Sequence, residues 1–532
     1  MADRFHVDGG ADLVRSARAG LASLRSGAGL KTRPDAGIPL KIRPYAFVAL
    51  AVILMTTAAI TGDGVRLIEA VRAGDHEAVR ALIRAKADVN AAEANGTTAL
   101  QLASEADDIP MVKLLLAAGA KVDAANRYGV TPLSQAALNG SATMIETLLA
   151  AGADANAQVS RGQTVLMTAA RSGHAAAVRM LLDHGAMVDA QEAQLGETAL
   201  MWAAAENHAD VVSLLLKANA DPNRRSTSIK FPKDNFGLEG VPTYLPKGNW
   251  TALMYAAREG ATEAARTLAE AGADLDAVDP DGTTALVHAI TNSHYDTAAA
   301  LIELGANPNL ADSTGMAALY AATDMSSLGE VYGRPLRRVD DMHTAVDIIR
   351  LLLEHGADAN ATLAKPLLTR AHTPGDPLLG NGTTPLMRAA KNGDYRAMAV
   401  LLAHGADVSA KVKNNSTVLM FACGLGRGTS AFAEDVGTEA DLLQAATLAI
   451  DHGADVQAVS DSGATALHYA AQSGLNSVVR LLAAHGAVLD AKDKQNRTPV
   501  DVARGVGGRG RAGGPPLVHP DTAALIEQLL GK

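Results

Sequence analysis

Fifteen histidines, a lone cysteine and a few clustered carboxylates are the groups in this 532-residue chain with the most obvious capacity for chemistry. Asp340, Asp341 and His343 fall close together, with His372 and Asp376 further on. Carboxylate plus imidazole is a donor set for a divalent cation, but no ligand spacing such as His-Glu-x-x-His accompanies it. Gly505-Val-Gly-Gly-Arg-Gly510 lacks the Gly-Lys-Ser/Thr ending of a phosphate-binding loop and reads as a plain loop. There is no Gly-x-Ser-x-Gly nucleophile elbow. With only Cys423, no intrachain disulfide and no cysteine-built zinc or iron-sulfur site can form. Met167, Met201, Met254, Met387 and Met420 each fall three residues after a threonine, a regularity that fits adaptable core packing better than a row of soft-metal ligands. These residues make no catalytic constellation, so the expectation is a non-enzyme with no cofactor and no metal.

The elements that position these groups follow from a periodicity. Thr98, Thr131, Thr164, Thr198, Thr251, Thr284, Thr384, Thr417, Thr465 and Thr498 are separated by 33, 33, 34, 53, 33, 100, 33, 48 and 33 residues. The longest gap divides again once Ala317 is accepted as a degenerate member. A period near 33 is that of a stacked repeat. Around each threonine runs the same pattern, seen in Gly129-Val-Thr131-Pro132-Leu133, Ala136-Ala137, Leu148-Leu149 and Gly152-Ala153-Asp154-Ala155-Asn156. The threonine oxygen suits a helix N-cap and proline suits the first helical position. Paired alanines allow close helix approach, the leucine pair supplies an apolar face, and glycine suits the left-handed residue that ends a helix. No unit buries both of its faces alone, so stacking must supply the core.

This pattern resembles the ankyrin repeat. It recurs as Gly382-Thr-Thr384-Pro385-Leu386 with Ala389-Ala390 and Gly405-Ala406-Asp407, and as Gly463-Ala-Thr465-Ala466-Leu467-His468 with Ala470-Ala471 and Gly486-Ala487. The resemblance implies an all-α solenoid of about twelve helix-turn-helix units over 65–532. An atypical first unit from Val65 serves as a cap, and further units begin near Gly96, Gly129, Gly162, Gly196, Asn249, Gly282, Gly315, Gly382, Asn415, Gly463 and Asn496. In this setting His184, His355, His404, His452 and His485, each preceding Gly-Ala, are expected to end second helices, where the macrodipole favours them. His468 takes the Thr-x-Leu-His place, and Cys423 takes a buried alanine position.

Five stretches break the period and read as insertions: 224–248, 325–342, 361–381, 424–438 and 505–520. The first three carry the aromatic, proline, basic and histidine residues on which an alternative reading rests, that of an enzyme or metal-binding protein with its site in the loops. A purely structural spacer is the other alternative. The main reading places function on the surface, because family members commonly bind protein partners through turn tips and the exposed end of the first helix. Carried onto this chain, that marks Arg127, Tyr128, Arg161, Trp250, Arg258, Glu259, Lys391, Asn392, Lys413 and Gln472 as candidate protein-binding residues. Arginine and tryptophan are frequent interface anchors.

Ahead of the repeats, 1–44 is a polar basic segment with eight Lys/Arg and four Asp/Glu, whereas the rest of the chain is net −14. Such an acidic array is a poor ligand for nucleic acid, and none is expected. Lys41 and Arg43 precede the uncharged run Tyr45 to Ile60, whose 16 residues suit the apolar region of a secretory signal better than a full membrane span. The segment 45–61 is therefore read as a signal or a membrane anchor, and the protein as an exported, bacterial-type ankyrin-repeat protein, periplasmic or anchored with its repeats outside. It is expected to be monomeric and to touch the membrane only through 45–61, if that segment is not cleaved.

Overall fold

The computed structural model describes residues 62–228, 248–328, 337–365, 378–427, 437–507 and 515–531. All belong to the unit Gly62–Lys532. The expected signal or anchor segment 45–61, together with His372 and Asp376, lies outside the described residues.

Among the described residues twelve pairs of antiparallel helices follow one another, the first being 62–72 with His76–Arg84 and the last Pro499–Ala503 with Pro520–Leu529. First helices such as Pro132–Asn139, Val165–Arg171, Ala199–Ala205 and Ala252–Glu259 pack on one another in sequence order. Second helices such as Ala142–Ala150, Ala175–Asp183 and Ala209–Lys217 form a parallel row behind them. Among the described residues no helix is long and apolar enough to cross a membrane.

Each first helix starts where the repeat pattern places it. Thr98, Thr131, Thr164 and Thr498 all accept from the amide three residues on, while the side chain at that third position returns a bond to the threonine amide. That third position is filled by Gln101, Ser134, Met167 or Asp501, so several chemistries close the same box. The unit starts need a left-handed backbone, which glycine takes at Gly129 (φ 77°) and asparagine tolerates at Asn249 (φ 55°). Inside each helix the alanine pairs and the methionines face the core: Met167, Met201, Met254, Met387 and Met420 are all fully buried, as are Ala203, Ala204 and Leu148. Cys423 is fully buried too, and burial pushes its thiol far up, away from the reactive thiolate form.

Repeats are clipped together by side chains of the Gly-Ala-Asp-x-Asn segment. Asn156 Nδ2 donates to the Gly185 carbonyl at 3.2 Å, and the Met187 amide donates to Asn156 Oδ1 at 2.8 Å. Asn309 does the same for Gly356 (2.9 Å) and Asp358 (2.8 Å), and Asn360 for Gly405 (3.1 Å) and Asp407 (2.8 Å). The clips thus continue across the interrupted repeats. At the other end of the helix pair, the His208 ring lies against Gly173, where a Cβ would come within 2.6 Å of it, and bonds the Arg171 carbonyl at 3.0 Å.

The histidines expected at second-helix ends behave as the dipole argument requires. His184, His355, His404, His452 and His485 each place Nδ1 2.8–2.9 Å from the carbonyl four residues back. His468 has another task. The Thr465 amide donates to its Nδ1 at 3.1 Å and its Nε2 lies 3.2 Å from the Arg497 carbonyl, which describes a neutral ring protonated on Nε2.

Burial, the largest influence, holds the His468 pKa below the ordinary imidazole value. An unfolded imidazole titrates near ~6.5, so the unfolded chain takes up this proton first. The contribution of His468 is complete above that value and is lost as pH falls toward the folded pKa. Gln101 fills the equivalent place without titrating, accepting from the Thr98 amide at 2.7 Å and donating to the Ala124 carbonyl at 3.0 Å. His468→Gln should therefore lose less Tm than the parent protein when pH is lowered from about 7 to about 5, a comparison that thermal denaturation at the two pH values makes directly.

Candidate functional site

The carboxylate-histidine cluster is built into a brace. Asp296, at the start of the second helix Tyr295–Glu303, accepts from the Met342 and His343 amides at 3.0 Å and from His343 Nδ1 at 2.7 Å. Burial opposes ionisation of Asp296, but these hydrogen bonds prevail and hold its carboxyl below the usual range. Asp341 accepts from the Tyr295 amide at 3.3 Å, and burial followed by the charge of Asp296 pushes it upward. The arrangement fastens the chain around 341–343 to the preceding repeat. Among the described residues no group of three or more His, Cys, Asp or Glu is arranged to hold a metal ion.

The candidate binding residues separate into three situations. Arg127 and Tyr128 are exposed at one turn tip, with the guanidinium 5.0 Å from the ring centroid and Nη2 donating to the tyrosine oxygen at 2.9 Å. Arg161 and Lys413 are exposed at other tips, Arg161 reaching Gln194 at 3.2 Å, and Gln472 is half-buried. Lys391 and Asn392 correct the expectation of an exposed rim, since both are buried. The reason lies in the preceding repeat, whose first helix Ala318–Leu328 continues through Met325 into the stretch read as an insertion. Asn392 Nδ2 donates to the Ser327 carbonyl at 3.0 Å, and Ser326 donates to Asp394 at 2.6 Å. Beside them Arg388 Nε donates to Asp324 at 2.5 Å in a buried pair.

Trp250, Arg258 and Glu259 come together, and they belong to a larger group. Trp250 is half-buried, edge-on to Tyr255 with centroids 5.3 Å apart and tilted against His288 at 4.7 Å. The Arg258 guanidinium lies 5.4 Å from its ring centroid. Its backbone closes the base of the 224–248 insertion, exchanging bonds with Ser226 at 2.9 and 3.0 Å. Tyr255 Oη donates to Glu197 Oε1 at 2.8 Å, and Trp202 Nε1 donates to Glu197 Oε2 at 2.7 Å. Arg171 then covers Trp202 at 5.0 Å. Burial, chiefly, and the Glu197 charge push the Tyr255 hydroxyl well above the ordinary phenol range, against an opposing hydrogen bond with Ser226.

Both tryptophans of the chain thus sit on one face across three successive repeats, each beneath an exposed arginine. Reasoning from turn tips missed Arg171, Glu197, Trp202 and Tyr255. A signal for two of them was present: Trp202 and Tyr255 both stand four residues after the repeat threonine, next to buried core positions yet left half-exposed.

The chain belongs to the ankyrin-repeat family. The family described as "Ankyrin repeats (3 copies)" matches residues 67–159, 135–226, 236–328 and 346–431, and "Ankyrin repeats (many copies)" matches 450–503. The chain is 32% identical over 153 residues to the B-cell lymphoma 3 protein homolog of Mus musculus, which covers 27% of this chain and 31% of that protein. It is 30% identical over 176 residues to Ankyrin repeat and SOCS box protein 16 of Mus musculus, 30% of this chain and 37% of that protein. A third relative, the Transient receptor potential cation channel subfamily A member 1 homolog of Caenorhabditis elegans, is 31% identical over 122 residues, 23% of this chain and 9% of that protein. The chain therefore spans about a third of the length of the first two relatives and far less of the third.

Glu197 joins two repeats through Trp202 and Tyr255. Tyr255→Phe removes one bond to a charged acceptor and should lower stability by about 1.5 kcal/mol, measured by chemical denaturation, with helicity unchanged by circular dichroism.

Proposed function

We propose that this protein is a non-catalytic scaffold that holds a protein partner against the face bearing Arg171, Trp202, Tyr255, Trp250 and Arg258. The observation that carries this reading is the placement of both tryptophans, each capped by an exposed arginine, on neighbouring repeats, Trp202 within the helix Ala199–Ala205 and Trp250 just before the helix Ala252–Glu259. Aromatic and arginine side chains with rigid supports are the residues that dominate interface energies. Here the support is the packed helix row beneath and the Glu197 carboxylate between the rings. The exposed Arg127-Tyr128 pair is a second aromatic-arginine tip that extends the contact toward the amino-terminal repeats.

We further propose that the array works beyond the cytoplasmic membrane. The support is the uncharged run Tyr45 to Ile60 behind Lys41 and Arg43, the charge order of an export signal or of an anchor with its basic side in the cytoplasm.

Affinity capture by the full chain tests the face. Trp250→Ala combined with Arg258→Ala should weaken retention of the captured partner by roughly tenfold or more, with helicity intact; retention unchanged by the pair would move binding away from this face. A reporter active only outside the cytoplasm, fused after Lys532, tests the location. It should work with the parent sequence and fall silent when Val52 and Leu54 are both changed to Asp, because charges in the apolar run oppose membrane insertion.

A further inference from the structure

The chemistry of that face narrows the kind of partner it accepts. The seventh position after the repeat threonine carries Arg171, Ala205 and Arg258 in three successive repeats. The arginines are exposed, and the small alanine between them leaves a notch in the row. Arg171 makes no ion pair among the described residues; its guanidinium lies over the Trp202 ring, a contact that leaves its N–H donors unused. Among the described residues the one ion pair of Arg258 is with Glu259, 3.5 Å away with both side chains about half exposed, a contact of the kind that solvent makes worth little. Glu197 has its two oxygens engaged by Trp202 and Tyr255 and, among the described residues, forms no direct ion pair with either arginine. In a chain of net charge −10, two such lightly paired cations on one row, two repeats apart, form a local exception.

We infer that this face takes an extended, acidic segment of a protein partner, with two carboxylate side chains about five or six residues apart, one for each guanidinium. The inference rests on the scaffold reading above and adds the partner's chemistry. The spacing follows from the stack: neighbouring helices pack about 8–10 Å apart, so Arg171 and Arg258, two repeats apart, stand roughly 16–20 Å apart along the row. An extended chain advances about 3.3 Å per residue. The intervening segment crosses at Ala205, the one small side chain of the three, over the aromatic floor. A guanidinium presents a planar fork of donors that a carboxylate accepts in pairs, and stacking on an indole holds that fork in place before the ligand arrives, which lowers the ordering cost of binding. Glu259 is the group the incoming carboxylate displaces from Arg258.

Selection of random linear peptides of roughly 16 residues, long enough to cover about 50 Å when extended, against the immobilised full chain tests this. The expected outcome is enrichment of sequences with Asp or Glu paired at separations of five or six. Synthetic versions of the winners should lose roughly tenfold or more in affinity when the paired acids become Gln or Asn, or when Arg171→Gln or Arg258→Gln is introduced, while Glu259→Gln should tighten binding. Enrichment of neutral or basic peptides that still depend on Trp250 would overturn the acidic partner and leave the binding face standing. Enrichment of acidic peptides indifferent to both arginine substitutions would overturn the assignment of the two carboxylates. If no peptide of any composition were enriched, the acidic segment and the face would fall together. Both arginines are exposed, so circular dichroism of each variant checks that the array is intact.

Discussion

Helix ends that cannot satisfy themselves are the constraint on which the array depends. Its helices are mostly seven to nine residues long, and a helix leaves four amides at one end and four carbonyls at the other without internal partners. Elements this short do not hold in isolation. Most first helices are closed locally by a capping threonine, which at Thr98, Thr131, Thr164 and Thr498 completes a box with the third helical residue. Several second helices are closed from outside by a side chain of the preceding repeat, as Asn156 does for Gly185 and Met187 and Gln457 for Gly486. Local conformation and stacking are therefore one event, and the apolar face made by Leu148, Met167 or Met201 is buried only because a neighbour is present.

That arrangement explains how the period can be broken without breaking the stack. The clips join residues at fixed positions in the repeat and are indifferent to chain length between them, so Asn223 reaches Asp274 at 2.8 Å across the first insertion and Asn309 reaches Asp358 across the next. Interruption has local consequences instead. Where the first helix lengthens to Leu328, it brings Ser326, Ser327 and Asp324 over the following repeat, and these bond Asp394, Asn392 and Arg388. A surface that is open in other repeats is covered there, and Lys391 goes under with it.

The same division of labour gives the binding face its character. Buried positions of the first helix are committed to neighbours, but in several repeats the fourth and seventh positions after the threonine remain at least partly exposed. In the repeats starting at Thr164, Thr198 and Thr251 they hold Arg171, Trp202, Tyr255 and Arg258, and one carboxylate, Glu197, joins Trp202 to Tyr255. Because the backbone beneath is set by caps and clips, these side chains are presented on a fixed platform, which is what an interface built on a few aromatic and arginine anchors requires.

The repeat unit and its order along the chain were legible in the residues alone, since capping threonines, alanine pairs and left-handed glycines or asparagines encode short-range geometry that each unit must solve in the same way. The helix-ending histidines and the buried cysteine and methionines follow from that register. Exposure was not legible where it depends on another repeat: Lys391 and Asn392 occupy positions open elsewhere, and only the lengthened helix before them decides their burial. The brace between Asp296 and His343, and the meeting of Trp202 and Tyr255 on Glu197, join residues 47, 5 and 58 positions apart. Of these, only the five-residue contact is local; the long-range pairs are set by how one repeat docks on the next, a geometry that arises from packing and that no spacing within a single repeat specifies.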